Sequence, residues 1–166
     1  MSKFDLAFPY VLFNEGGYSE SEKGCPSNFG ITKEKAEDYG YTGDLRALPI
    51  SFVKKIYRCE HWQFDEIESQ AAATKLLDMC VAFGSAVGIF LAQEMLNKNH
   101  GAGLEMDGRF GPCTLEAINR QEPSVVLEGL ASISESHCRI LISQSPSQPC
   151  NRRGWLTRAA RLPSQR

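Results

Sequence analysis

No stretch of this chain is apolar for the ~18–20 residues that a membrane-crossing helix needs, so stable membrane insertion is not expected. A secretory leader is not expected either. The N-terminal apolar run is interrupted by Asp5 and Pro9, ends at Glu15 and lacks a small-residue cleavage site. Synthesis in the cytoplasm without a Sec signal is therefore the expectation. The six cysteines, Cys25, Cys59, Cys80, Cys113, Cys138 and Cys150, form no C-x-x-C pair. Only Cys59 near His61 and His137 next to Cys138 bring Cys and His together, and two ligands are not a metal site. Neither a metal nor an organic cofactor is expected. Buried free thiols are the expected state of the cysteines, with disulfides formed after export as the alternative. A basic surplus is also absent: the net charge of −2 gives no sign of nucleic-acid binding. There is no internal repeat, and no strong strand signal outside residues 16–31.

What is present fits one domain, or one domain with a small appended lobe. The length of 166 residues can bury a real core, and 42% hydrophobic with 23% charged residues is ordinary globular composition. Charge is unevenly placed. Residues 151–166 hold five arginines, Arg152, Arg153, Arg158, Arg161 and Arg166, and no acid. The remainder has 13 basic against 20 acidic residues. The basic end reads either as a surface steered toward an anionic partner or as a solvated helix face whose arginine stems pack around Trp155.

Most of the chain has helical periodicity. Phe4, Ala7, Phe8, Val11 and Leu12 recur at helical spacing, with Ser2 as a candidate cap and Pro9 as a kink or delay. Thr32 is placed to cap a short helix from Lys33 to Tyr39, stopped by Gly40. Pro49 suits the first position of a helix carrying Phe52, Val53, Ile56 and Tyr57, which runs out near Trp62, itself either core or sugar platform. Ser69 caps a helix that Gly84 stops, and Ser85 begins the next. Both are apolar nearly all round and so are expected to be central. His100-Gly101-Ala102-Gly103 is the best internal boundary, dividing a region 1–99 from a region 100–166 packed with it as one globule. Pro112 starts a helix, and Pro123 to Ser143 reads as one long helix.

The stretch Asn14 to Thr32 holds the chemistry. Glu15 directly follows an apolar run, and Gly16-Gly17 turn the chain at once. Tyr18, a polar loop with Glu20 and Glu22, and the closing Ser27-Asn28-Phe29-Gly30 follow. A carboxyl at a helix end, backed by core and facing a cleft, can hold a proton near neutral pH when burial is one-sided. The bland reading is a helix-end carboxylate with a glycine C-cap.

Glu15-Gly16-Gly17-Tyr18 and Asn28-Phe29-Gly30-Ile31-Thr32 resemble the catalytic motif of glycoside hydrolase family 108, bacterial and phage N-acetylmuramidases also described as secretion-activator proteins. The middle departs from that motif: Glu22 stands where Asp is expected, Cys25-Pro26 replaces Gly-Ala, and Ser27 replaces Thr. Asp78 to Gly84 resembles the family's D-M-A-V-N-x-G stretch, and Gly154-Trp155-Leu156-Thr157-Arg158 resembles its G-W-x-x-R ending, with Trp155 expected to dock the last helix on the core. Asp107 to Leu115 is similar to the D-G-x-x-G-P-x-T-L segment of predicted peptidoglycan-binding domains.

The resemblance implies a mainly α, lysozyme-like fold with a small irregular or β-hairpin lobe after the first helix. It implies cleavage of the β-1,4 bond between N-acetylmuramic acid and N-acetylglucosamine, with Glu15 as general acid. Glu22 is the candidate for the opposite face of the sugar, Ser27 holds water, and Glu20 is the reserve. Tyr18, Asn28, Phe29, Gly30 and Phe83 are the candidate substrate contacts. The implied partners are peptidoglycan glycan strands, with a holin or secretion machinery carrying the protein to the wall. A lytic transglycosylase and a non-catalytic wall-binding secretion factor are the alternatives.

Overall fold

A computed structural model describes residues 1–20, 25–144 and 152–164. Helix α1, Phe4–Glu15, buries Phe4, Ala7, Phe8 and Val11. Ser2 does not cap it. The N-cap residue is Lys3, without a side-chain bond, and Ser2 is buried with its hydroxyl donating to the Phe64 carbonyl. The helix passes through Pro9, whose exposed position leaves the unpaired carbonyl one turn back to solvent. Gly16, at φ 73°, ends it in a conformation that a side chain would disfavour.

The lobe that follows is a three-stranded antiparallel sheet of β1, Tyr18–Ser19, β2, Ser27–Asn28, and β3, Ile31–Thr32, in that order. Tyr18 faces Asn28, and Ser27 faces Ser19 on one side and Thr32 on the other. Phe29-Gly30 is the two-residue turn between β2 and β3, with φ of 50° and 72°. Such a turn matches strand twist only when both central residues take positive φ. Phe29 is the non-glycine residue that does so here, and Tyr57 fixes it by donating its hydroxyl to the Phe29 carbonyl at 2.6 Å.

Thr32 caps α2, Lys33–Asp38, by accepting from the Lys35 N–H. A 3-10 turn at Leu45–Ala47 precedes α3, Ile50–His61, for which Pro49 is the N-cap residue. Ser69 caps α4, Gln70–Phe83, and every residue from 71 to 80 is buried. Gly84, at φ 89°, joins it to α5, Ser85–His100. Then come α6, Pro112–Asn119, α7, Pro123–Gln144, and α8, Arg152–Ala160. The described residues are thus mainly helical, in a lysozyme-like arrangement with a small sheet after the first helix. No helix among them is long and apolar enough to cross a membrane.

One buried cluster runs from Phe4 and Val11 through Tyr57, Leu76 and Met95 to Ile118 and Leu130, so both sides of the His100 break share a core. Trp62 belongs to that core, edge-on to Phe4 and Phe64. Trp155 does not dock α8, being 42% exposed. Ala159 is buried instead, and Lys75 of α4, whose side chain is wholly buried, donates to the carbonyls of Ala159 (2.6 Å), Arg161 (3.1 Å) and Arg158 (3.2 Å). A cation among the last carbonyls of a helix satisfies groups that the helix itself leaves unpaired. The thiols divide. Cys80 and Cys138 are buried, but Cys25, Cys59 and Cys113 are exposed, against the expectation of general burial, and Cys150 lies outside the described residues.

Candidate active site

Glu15 is the last residue of α1, and three elements converge on its carboxylate. From the sheet, Gly30 approaches so closely that a Cβ there would overlap Glu15 Oε2, and it would meet the Tyr57 hydroxyl at 3.1 Å. From α8, Arg158 Nη1 donates to Glu15 Oε1 at 2.6 Å. From α4, Asp78 holds the same guanidinium: its Oδ1 accepts from Arg158 Nε at 3.0 Å, and Nη2 lies 2.9 Å from that oxygen. Asp78 is 2% exposed, so Arg158 is its necessary counter-charge. Burial works against the charge on Arg158, but Asp78 and Glu15 outweigh it and hold the guanidinium above its ordinary pKa. Lys75 completes the net 3.9 Å from Asp78 Oδ2, and burial pulls its pKa down to about 8.

Asn14 bridges the rest. Its amide donates to Asp78 Oδ1 at 3.1 Å and accepts from Arg161 Nη1 at 2.6 Å. Tyr10 donates to the Arg161 carbonyl at 2.9 Å, and burial, then the Asp78 charge, push its pKa up to about 12. Burial, with the Glu15 charge next, also raises Tyr57. Glu15 is thus not a carboxyl resting against an apolar wall. It is one end of a chain of charges, Glu15–Arg158–Asp78–Lys75, with side-chain exposure of 15% and 19% at the first two and 3% and 0% at the last two.

A cleft of about 610 Å³ opens beside Glu15, walled by Phe13, Asn14, Arg153, Gly154, Trp155, Thr157, Arg158 and Arg161. A smaller pocket of about 130 Å³ meets it at Trp155 and Arg158 and reaches Asp78, Phe83, Ser134 and Cys138. Another cavity, about 720 Å³, shares no lining residue with the cleft and surrounds Asp107, Arg109 and Thr114. Its carboxylate Asp107 accepts from Gln93 and from the Arg109 N–H, and these bonds, Gln93 foremost, hold its pKa low. That suits a loop clamp better than an acid.

The expected site residues are distributed as follows. Gly30 packs against Glu15, and Phe29 precedes it in the turn with its carbonyl held by Tyr57. Tyr18 is exposed, donates to Glu20 at 3.4 Å and lies under Arg46. Glu20 is paired with Arg46 at 2.9 Å. Asn28, expected at the substrate, is instead 3% exposed and donates to the Leu45 and Arg46 carbonyls at 2.8 and 3.2 Å. Ser27 sits in β2. Phe83 lines the smaller pocket, edge-on to His137 at 5.0 Å. Glu22 lies outside the described residues. Asp78 and Lys75 had no assigned site role from sequence, and Arg158 was read only with the basic end and the G-W-x-x-R resemblance. The signal for the first two was a lysine and an aspartate three positions apart in an otherwise apolar helix, which a buried helix tolerates only when both are paired. Among the described residues, no three His, Cys, Asp or Glu side chains gather as a metal ligand set.

The solved structure of Brucella abortus SagA is similar in fold, with a TM-score of 0.74 at 23% identity over 95% of this chain and 89% of that one. A comparison with curated proteins gave no match. Residues 8–84, the segment that carries Glu15, the small sheet, Lys75 and Asp78, match the family model described as Glycosyl hydrolase 108.

Proposed function

We propose that this protein is a peptidoglycan hydrolase, a muramidase that cleaves the β-1,4 bond between N-acetylmuramic acid and N-acetylglucosamine with Glu15 as general acid. The observation that carries this reading is the coincidence of the glycosyl hydrolase 108 match with Glu15 at the wall of an open cleft. Glycoside cleavage passes through an oxocarbenium-like transition state and needs a proton on the leaving oxygen. Arg158 engages Oε1, so the proton that Glu15 delivers is assigned to Oε2. Asp78 keeps the guanidinium neutralised when Glu15 is a neutral acid. When the proton has left, Arg158 is in place to balance the carboxylate.

Glu22 is our candidate for the opposite face of the sugar, with Ser27 holding the water. Tyr18, Phe29 and Phe83 are assigned to substrate contact, Gly30 to the fit of Glu15. The substrate is the peptidoglycan glycan strand, and a holin or secretion machinery would deliver the protein to the wall. A second reading, lytic transglycosylase action, draws on the engagement of Glu20 by Arg46, which leaves Glu15 as the carboxylate on the cleft among the described residues.

Mass spectrometry of murein digested by the protein separates the outcomes. Muropeptides ending in reducing muramic acid are expected. Anhydro-muramic ends would transfer the assignment to transglycosylase, and intact murein would leave a wall-binding factor without hydrolytic activity.

A further inference from the structure

Arg158 faces two carboxylates, whereas its neighbours on the cleft face none. Arg161 Nη1 donates to the neutral amide of Asn14, and its guanidinium lies over the Phe13 ring at 5.0 Å from the centroid. Arg153 is exposed on the same wall. Among the described residues no carboxylate pairs with either. Two aromatic rings open onto the same space, Phe13 at 71% and Trp155 at 42% exposure. A half-buried arginine fixed by a hydrogen bond and a ring face loses little further freedom when it binds, and its planar fork matches a carboxylate in bidentate fashion. Flat apolar rings beside it suit the faces of sugar rings.

We propose that Arg161, assisted by Arg153, is a specificity-determining carboxylate receptor of the Glu15 cleft, selecting a glycan that bears an acidic substituent over a neutral N-acetylglucosamine polymer. The inference rests on the glycan-hydrolase reading and names the group which that site selects. Two sources supply the chemistry in peptidoglycan: the lactyl carboxylate of a peptide-free muramic acid, and the carboxylates of the stem peptide.

The test uses wild-type chain and disaccharides that contain no scissile muramic–glucosamine bond, titrated by NMR. The ligands are N-acetylglucosaminyl-muramic acid, the same disaccharide with its lactyl carboxyl reduced to an alcohol, and the disaccharide carrying its stem peptide. A fixed charged hydrogen bond supports an expected preference of about tenfold for an acidic ligand over the alcohol. Preference for the peptide-free acid identifies the lactyl group, and preference confined to the peptide-bearing ligand identifies the stem. Arg161→Gln should reduce the preference to about twofold or less, and Arg161→Lys should restore part of it. Arg153→Gln, at an exposed position with little risk to folding, should reduce it by a smaller factor. Equal binding of all three ligands by wild type, or a preference that survives the double Gln variant, overturns the proposal. The two readings fail separately: muropeptides without ligand preference remove the receptor alone, and preference without muropeptides removes the hydrolase.

Discussion

Gln93 on α5 and Arg158 on α8 each tie the C-terminal part of the chain to the central helix pair, but their groups are matched differently. The two N–H groups of the Gln93 amide are shared among Asp107 Oδ1, the Arg109 carbonyl and the Thr114 hydroxyl, and its oxygen accepts from the Gly108 N–H. All four partners lie in one loop and the helix after it, and Gln93 is buried. Arg158 is divided between two carboxylates from two helices, and one of them, Glu15, opens onto a cleft. A neutral polar group whose partners all lie in one loop and the helix after it has one best position and builds scaffold. A cation between competing anions has two, and that is what a proton-transfer site can use.

Substitutions at the two knots should therefore separate function from stability. The largest effect is expected for Glu15→Gln, which keeps shape and removes the proton. Murein clearing should fall by about 10²–10⁴-fold with the thermal midpoint near wild type, and clearing within a few-fold of wild type would return Glu15 to a helix-end cap. Arg158→Met leaves Asp78 buried without its main counter-charge, so chemical denaturation should show a loss of roughly 3–5 kcal/mol. A loss under about 1 kcal/mol would mean that Lys75 and Asn14 suffice for Asp78.

Gly30→Ala forces a Cβ into Glu15 Oε2 at a positive φ. It should cost about 1–3 kcal/mol and reduce clearing more than that instability explains, because the carboxylate itself is displaced. Gln93→Ala should cost a similar ~1–3 kcal/mol, but clearing per folded molecule should be unchanged. A specific loss of turnover there would break the contrast between scaffold and site.

The last effect is in pH. Burial lowers Lys75 to about 8 in the fold against an ordinary value of 10.5. Between those values the unfolded chain binds the extra proton, so this group's contribution is full above 10.5 and is lost as pH falls through 8. Tyr10, raised to about 12, acts oppositely above 10. Denaturation from pH 8 to 10 should therefore show wild type gaining on Lys75→Met with rising pH, by at most about 3 kcal/mol. A flat difference would mean that the three carbonyls hold the ammonium charged.

The helices were legible because apolar spacing and caps agree locally. Thr32, Ser69, Gly84 and Pro112 mark ends that the structure keeps. Ser2 misled because a serine ahead of an apolar run also suits a buried hydroxyl with a distant carbonyl, and Phe64 supplies one 62 positions away. Trp155, expected to dock the last helix from the G-W-x-x-R resemblance, is exposed, and a lysine beneath the last carbonyls of α8 holds that helix instead. Glu15 was legible as a carboxyl at a helix end facing a turn. Its partner was not, since nothing local to residues 14–32 points to an arginine on the last helix.

The Glu15–Arg158 contact closes a loop of 143 positions. On a ribosome, α1, the small sheet and Asp78 are all synthesised long before Arg158 exists, and the cleft has only one wall until α8 arrives and Lys75 seats it. Chain order thus imposes a schedule: the half of the molecule that holds the acid is made first, and the half that sets its charge environment is made last. A nascent or C-terminally clipped chain would carry Glu15 without the arginines of its cleft, so completeness of the polypeptide is itself a condition on when the site comes into being.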